Sequence, residues 1–247
     1  MLKRLVTGAL IAGLAAGLLA AILHFAFIQS LILEGELYET GELTHFETAP
    51  APAPAAAEGH DHGATAEAHD HEHGAAEGET STLQRNALTV MFSVMIYVSY
   101  ALLLFAGFGL AASIGRKIDA TTGLIWGIAG FVTFQMAPAM GLAPELPGTA
   151  SAALGDRQVW WWLTAIATGG GLLLLGYGRA LWLVPVAVLL LAAPHVIGAP
   201  HLDFYAGSAP PELSAAYAAH VLGVGLAVWA VLGWVSGRIW ARDAAQA

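Results

Sequence analysis

The stretch LVTGALIAGLAAGLLAAILHFAFIQSLIL, residues 5–33, contains no Asp, Glu, Lys or Arg. Only an internally hydrogen-bonded helix or a closed barrel satisfies the backbone in lipid, and a helix needs about 20 mainly apolar residues to cross a bilayer. The stretch follows the basic residues Lys3 and Arg4, as a signal peptide would. However, its apolar run is far longer than the roughly 7–15 residues of a signal peptide. We therefore predict a retained first transmembrane helix.

The rest of the chain has the same apolar character. Hydrophobic residues make up 57% of the 247 residues, charged residues only 11%, and the mean hydropathy is +0.66, values that are unusual for a soluble domain. Six stretches are long enough to cross a bilayer, at residues 5–33, 88–114, 121–142, 158–177, 180–196 and 213–237. The fifth is interrupted by Pro185 and Pro194. We predict an all-α, polytopic membrane helix bundle of about six transmembrane helices, with five as the alternative.

The distribution of basic residues predicts the orientation of these helices. In a six-helix chain, one side of the membrane receives Lys3, Arg4, Arg116, Lys117, Arg179, Arg238 and Arg242, whereas Arg85 and Arg157 lie on the other side among most of the acids. Cytoplasmic loops carry the excess of positive charge, so we predict cytoplasmic N- and C-termini. The resulting organisation is a first helix over residues 1–34, an extracytoplasmic loop over 35–86, a membrane bundle over 87–238 and a cytoplasmic tail over 239–247.

Small and aromatic residues inside the apolar stretches indicate how the helices pack. Glycines at 13 and 17, at 123 and 127, and at 169–171 are typical of close helix contacts in membranes. The run Trp160–Trp162 begins the fourth stretch, where indoles favour the lipid headgroup region. We predict an interfacial anchor there.

The loop over residues 35–86 differs in composition from the rest of the chain. Twelve of the 18 acidic residues lie between Glu34 and Glu79, and the Pro/Ala-rich and Gly/His-rich segments have no apolar period, so we expect a loop that is disordered without ligand. Its histidines are His60, His62, His69, His71 and His73, interleaved with Asp61, Asp70 and Glu72. Neutral imidazole and carboxylate are suitable ligands for divalent transition metals. Metal capture is our preferred interpretation, with a solvated linker and a pH-responsive segment as alternatives.

Further potential ligands fall within or beside the predicted membrane helices. The topology places three histidines in the outer half of the bilayer, where ionisable residues are costly and indicate function: His24, His195 and His220. Glu34, Glu145 and Glu212 surround the same outer mouth, and Met91, Met95, Met136 and Met140 are possible soft ligands in the outer half. Together they suggest a relay from the loop into the bundle. For each residue alone, helix packing is a strong alternative interpretation.

Absent motifs narrow the mechanism. The chain has no cysteine, no P-loop and no H-E-x-x-H zinc motif, so thiolate chemistry, ATP-driven transport by this chain and metalloprotease activity are not supported. We expect no enzymatic activity, no catalytic residues, no permanently bound cofactor and no nucleic-acid partner.

Several blocks of the sequence resemble CbtA, a family of proposed cobalt transporter subunits, over nearly the full chain. They are the N-terminal run LVTGALIAGLAAGLLAAILHFAFIQSLILEGELYE, the His/Asp/Glu loop, APAMGLAPELPG, DRQVWWWLTA, and AAPHVIGAPH followed by PPELSAAYA. The motif positions that carry over are Gln29, Glu34, Glu36, Pro138, Glu145, Pro147, Arg157, Gln158, Pro194, His195, Pro200 and Glu212. The resemblance implies five spans, a bacterial cytoplasmic membrane, and a small, single-span, histidine-bearing partner (CbtB-like).

The leading hypothesis is therefore a cobalt-uptake component that supports cobalamin synthesis, with Co²⁺ as substrate and Ni²⁺ or Zn²⁺ also possible. A second hypothesis is a haem-binding membrane redox protein in which His195 and His220 are axial ligands. A third is a metal-sensing or structural membrane protein that transports nothing. In all three, membrane lipids surround the bundle.

Overall fold

The computed structural model describes residues 2–45, 82–204 and 206–245. These residues form helices and contain no β-strand, which confirms the predicted helical bundle. In chain order the elements are α1 (Leu2–Phe27), α2 (Gln29–Glu39), α3 (Thr82–Ser113), α4 (Ala120–Phe131), a π-helical turn (Val132–Met136), α5 (Ala137–Ala139), α6 (Leu154–Tyr177), α7 (Leu183–Ile197) and α8 (Pro211–Ala245).

Five helical segments in this part of the chain are long and apolar enough to cross a membrane: Leu5–Phe27, Thr82–Ser113, Ala120–Ala139, Leu154–Tyr177 and Pro211–Ala245. The fifth predicted stretch instead forms α7, which has 15 residues. At 1.5 Å per residue α7 covers about 22 Å, less than the roughly 30 Å of a hydrocarbon core. It is short because the chain leaves α6 in an extended conformation at Gly178 and leaves α7 at Gly198 with φ 87°. Counting only helices that are long enough to cross a membrane, the described residues have five, as in the five-span alternative.

Helix α7 nevertheless returns the chain to the other end of the bundle. Its C-terminal Pro194 contacts Trp160 near the start of α6, and Leu183 lies beside Gly178 at the end of α6. The helices α1 and α8 are also antiparallel, since Gly8 lies beside Ile239 near the C-terminus. Both ends of the described chain therefore lie at the same end of the bundle, as the six-segment interpretation predicted.

The charged residues separate between the two ends of the bundle, as predicted. We call one end the basic end, formed by Lys3, Arg116, Lys117, Arg179, Arg238 and Arg242, and the other the acidic end, formed by Glu34, Glu36, Glu145, Asp156, Asp203 and Glu212. Two arginines, Arg85 and Arg157, also lie at the acidic end, and both are ion-paired there.

Three predicted boundaries differ from the structure. The first apolar run breaks at Ile28 and continues as α2 to Glu39, and the next helix begins at Thr82, so the polar loop is shorter than predicted at both ends. Helix α8 continues to Ala245, which makes the predicted tail helical. The reason is packing: Trp240 is buried, with its ring centroid 5.8 Å from that of Phe108.

Glycine seams hold the long helices together, as the small residues predicted. Gly13 and Gly17 of α1 face the backbone of Val98 and Val94 on α3. Gly123 and Gly127 of α4 face Gly233 and Gly237 of α8 so closely that a Cβ atom at any of the four would meet backbone. The predicted tryptophan anchor is wrong for Trp160, which is buried because its indole bonds to α7, whereas Trp162 is 57% exposed.

Candidate functional site

The acidic end is covered by a cap, which consists of α2, the connection 140–153 and the described residues of the connection between α7 and α8, 198–204 and 206–210. Gly35 of α2 packs against the buried side chain of Leu146. The two connections are joined by a bridge between Thr149 and Gly207, and the N–H of Ala150 donates to the carbonyl oxygen of Ala206 over 2.9 Å. Of the carboxylates predicted at the mouth, the cap contains Glu34 and Glu145, whereas Glu212 lies in the first turn of α8.

Two of the cap carboxylates are paired with arginine. The carboxylate of Glu145 lies 2.7 Å from the guanidinium of Arg157 and also accepts from the hydroxyl of Ser151 at 2.7 Å. The carboxylate of Glu36 lies 3.1 Å from the guanidinium of Arg85, which ties α2 to the start of α3. Charge-assisted bonds of this kind orient a carboxylate and offset its charge. Glu145 therefore holds the connection 140–153 to α6 through Arg157. Glu34 and Glu212 are exposed.

His195 lies at the C-terminal end of α7 and is partly buried against α6. Its ring centroid is 6.2 Å from that of Trp160, with the two planes 71° apart. The indole N–H of Trp160 donates to the carbonyl oxygen of Pro194, 3.2 Å away. Pro194, which precedes His195, is thus fixed by a buried hydrogen bond. This bond gives the imidazole of His195 a defined position at the acidic end.

His220 lies on α8 and is exposed. Its Nδ1 is 2.7 Å from the carbonyl oxygen of Ala216; because a carbonyl only accepts, Nδ1 carries the proton and Nε2 of the neutral ring keeps its lone pair. The side chain lines a groove of about 420 Å³ between α8 and α1, opposite Leu23 and Phe27. His24 lies between these two residues on α1 and is partly buried. In metal sites, a hydrogen bond from one ring nitrogen to a carbonyl oxygen orients the histidine whose other nitrogen binds the metal.

The other predicted ligands do not join a common site. The methionine side chains point outward, with exposures of 46% for Met91, 55% for Met95, 44% for Met136 and 71% for Met140. Among the described residues, no three His, Asp or Glu side chains come together as a group that could hold a metal ion. The five loop histidines, His60 to His73, lie outside the described residues. The relay remains a prediction.

The geometry gives the haem hypothesis no support. Helix α7, which carries His195, packs along α6, whereas α8, which carries His220, packs along α4 and α1. The two histidines therefore contact different neighbours, Trp160 and the Leu23–Phe27 face of α1.

Sequence reasoning missed a π-helical turn in the third apolar stretch. The N–H of Ala137 donates to the carbonyl of Val132, five residues earlier. Pro138 follows directly; it has no N–H for the carbonyl four residues before it and its ring crowds that carbonyl, which explains the widened turn. Such turns occur frequently at functional sites. The proline of the motif APAM was the available signal in the sequence.

Buried polar atoms without partners lie beside this turn. The side chain of Gln135 packs against Gly225 of α8, and its Oε1 atom is buried with no hydrogen-bond partner. The hydroxyl of Thr168 on α6 and the indole N–H of Trp229 on α8 are likewise buried without partners. A buried polar group without a hydrogen-bond partner is costly. These atoms are therefore the ones in the interior of the bundle that are suited to bind a polar molecule or an ion.

A family model described as "Probable cobalt transporter subunit (CbtA)" matches residues 2–241. The chain belongs to the CbtA family. No curated protein and no solved structure gives a significant match. As a CbtA member the protein is a multi-pass membrane component of a probable cobalt transporter. Five of the motif positions now have structural roles: Glu145 pairs with Arg157, Glu36 pairs with Arg85, the carbonyl of Pro194 accepts from Trp160, and Pro138 accompanies the π-helical turn.

Proposed function

We propose that this CbtA protein takes up Co²⁺ across the bacterial cytoplasmic membrane, with the acidic end facing outward. The observation that carries the proposal is that His24, His195 and His220 all lie in the acidic-end half of the bundle, the half that also contains α2 and the start of α3, which flank the histidine-rich loop in the sequence. Imidazole nitrogen suits Co²⁺, with Ni²⁺ and Zn²⁺ as competitors. The excess of Lys and Arg at the opposite end supports a cytoplasmic assignment for that end.

The loop histidines would act first. His60, His62, His69, His71 and His73, with the neighbouring acids, raise the local concentration of the dication outside the membrane. The histidines in the bundle, His24, His195 and His220, then replace water molecules in the hydration shell of the ion. The neutral Nε2 of His220 is oriented for this step by the bond from Nδ1 to Ala216.

Passage through the bundle requires polar atoms deeper in the membrane. The unpartnered Oε1 of Gln135 supports a path beside the π-helical turn, on the acidic-end side of the level at which the glycines of α4 and α8 are in backbone contact. The inner half offers few further ligands, so we propose that a small, single-span, histidine-bearing partner (CbtB-like) completes the exit route. The cobalt delivered would support cobalamin synthesis.

Uptake of radioactive cobalt by cells that express the protein, with and without the partner, tests the proposal. We expect His195→Ala and His220→Ala to lower uptake about tenfold or more, as losses around metal sites do. His201→Ala is the matched control, because His201 is exposed in the neighbouring connection and its Nδ1 bonds to the carbonyl of Leu202. Replacing the five loop histidines with alanine should raise the cobalt concentration needed for half-maximal uptake.

The outcomes separate transport from sensing. If purified protein binds Co²⁺ through the loop but cells accumulate no cobalt, the protein is a metal-binding component that does not transport. Equal losses from His195→Ala and His201→Ala would remove the role proposed for His195.

A further inference from the structure

A second cavity lies at the basic end, away from all the predicted metal ligands. It is a cleft of about 500 Å³ between α3, α4 and α6, with Trp229 of α8 at its floor. This volume is typical of sites for small organic molecules, which range from about 300 to 1,000 Å³. The proposed function does not use this cleft.

Aromatic and small residues build the cleft. The indole N–H of Trp126 donates to the phenol oxygen of Tyr177 over 2.9 Å, which fixes two aromatic rings in the wall. Gly130, Gly169 and Gly176 also line it, and around Gly176 there is no atom within 4 Å of where a Cβ would lie. The missing side chain at Gly176 therefore leaves part of this space open.

The walls are apolar and open towards the surroundings of the bundle. Leu103 is 55% exposed, Ile125 is 60% exposed and Leu173 is 49% exposed, and all three line the cleft. They lie on three helices that span the membrane, so the opening faces the lipid hydrocarbon. An apolar chain can enter from the bilayer without crossing water.

Two cations stand at the mouth of the cleft. Arg116 and Lys117 follow α3 and are exposed, and within the described part of the chain neither forms an ion pair. The guanidinium of Arg116 lies 5.4 Å from the ring centroid of Tyr177, over the wall of the cleft. The nearby carboxylate of Asp119 accepts from the backbone N–H of Thr122, which engages it as the N-cap of α4. The mouth is therefore positive.

We propose that this cleft binds one acidic phospholipid, with its phosphate at Arg116 and Lys117 and one acyl chain against Trp126 and Tyr177. Basic pockets between transmembrane helices recognise anionic headgroups, and membrane lipid is the amphiphile present at the highest concentration. A zwitterionic lipid would satisfy the apolar walls but gain less from the two cations. Free phosphate would gain from the cations but leave the walls empty.

The test uses purified full-length protein in a neutral detergent. Phosphatidylglycerol, phosphatidylcholine and inorganic phosphate are titrated separately, with bound lipid counted by native mass spectrometry and the unfolding temperature recorded. We expect one tightly bound phosphatidylglycerol, weaker phosphatidylcholine and no effect of phosphate. Each cation near a membrane surface contributes about fivefold in affinity, so Arg116→Gln with Lys117→Gln should weaken phosphatidylglycerol about thirtyfold.

Two matched controls separate this site from general attraction to the basic end. Arg238→Gln with Arg242→Gln removes the same charge at the same end but outside the cleft, and it should keep the tight site. Gly176→Leu should remove binding by filling the cleft, whereas Gly155→Leu places the same side chain at an exposed position of the same helix, where an added Cβ has no neighbour within 4 Å, and should not.

Three results would overturn the proposal. They are equal binding of phosphatidylglycerol and phosphatidylcholine, equal losses in the two charge variants, and a Gly176→Leu protein that still binds the lipid. If Gly176→Leu instead abolishes co-purification with a single-span partner and leaves lipid binding intact, the cleft receives a protein helix. None of these outcomes depends on cobalt uptake.

Discussion

Gly233→Ala tests a backbone-to-backbone helix contact, the seam between α4 and α8. A Cβ atom added at Gly233 would lie 2.6 Å from Cα of Gly127 and 2.7 Å from its backbone nitrogen. Carbon atoms in contact prefer about 3.5–4.0 Å. Because both obstacles are backbone atoms, no side chain can rotate away, and the helices must separate by about 1 Å at this level.

The cost follows from this separation. A gap of about 0.5–1 Å forfeits a quarter to a half of the dispersion energy of each atom pair that it opens, and overpacking of a well-packed interior typically costs about 1–3 kcal/mol. Alanine gains up to about 1 kcal/mol over glycine in helix propensity, which offsets part of the loss. We therefore expect a net loss of about 1–2 kcal/mol in the free energy of unfolding.

The assay is reversible unfolding in mixed micelles, followed by tryptophan fluorescence and circular dichroism. Gly223→Ala is the matched control, because Gly223 lies on the same helix and an added Cβ there has no neighbour within 4 Å. The control should be neutral or more stable than the parent protein. If Gly233→Ala is as stable as Gly223→Ala, the backbone contact between α4 and α8 does not exist in the protein, and the alignment of these two helices is wrong.

Three further predictions concern single interactions. Glu145→Gln and Arg157→Gln, measured singly and together, should show a coupling of about 1–2 kcal/mol in unfolding free energy, since the pair is charge-assisted and only partly exposed; additive losses would contradict the pairing. The Thr122 N–H lowers the pKa of Asp119, so the stability that this carboxylate contributes is present above about pH 4 and is lost as the pH falls through the lowered pKa. Asp119→Asn should accordingly lose less stability than the parent between about pH 5 and pH 2, as thermal unfolding at each pH would reveal. Gln135→Leu should raise stability by about 1 kcal/mol by removing a buried unpartnered oxygen and should slow cobalt uptake; unchanged uptake would exclude this residue from the path.

The class of fold and the separation of charge were predictable from the sequence. Long charge-free runs leave the backbone no alternative to helices in lipid. Most of the basic residues lie at every second connection between those runs, and therefore on one side of the membrane. The ends themselves were less predictable. Helix α2 continues beyond Leu33 because Gly35 packs on Leu146 and Glu36 pairs with Arg85, and both partners are distant in sequence.

The candidate site was predictable in its residue types and not in its contacts. The sequence identified His195 and Glu145. Only the fold shows that Trp160 donates to the carbonyl of Pro194, next to His195, and that Arg157 forms an ion pair with Glu145. The π-helical turn was missed because a single extra residue in a turn leaves the apolar pattern of the segment unchanged. Its polar marker, Gln135, is one amide in a long apolar run, and its burial depends on Gly225 of a different helix.

The paired carboxylates change how the acidic end can handle a dication. Glu36 and Glu145 are engaged by arginines, so they contribute little net field at the mouth, whereas most of the negative charge in the chain lies between Glu34 and Glu79. Attraction at a distance would then come from the loop and would weaken with salt, because the Debye length is only about 8 Å at physiological ionic strength. Coordination at the bundle would depend on the imidazole nitrogens of His195 and His220. The salt dependence of the proposed uptake should therefore be lost when the acidic residues of the loop are neutralised, and it should be kept in His195→Ala and His220→Ala.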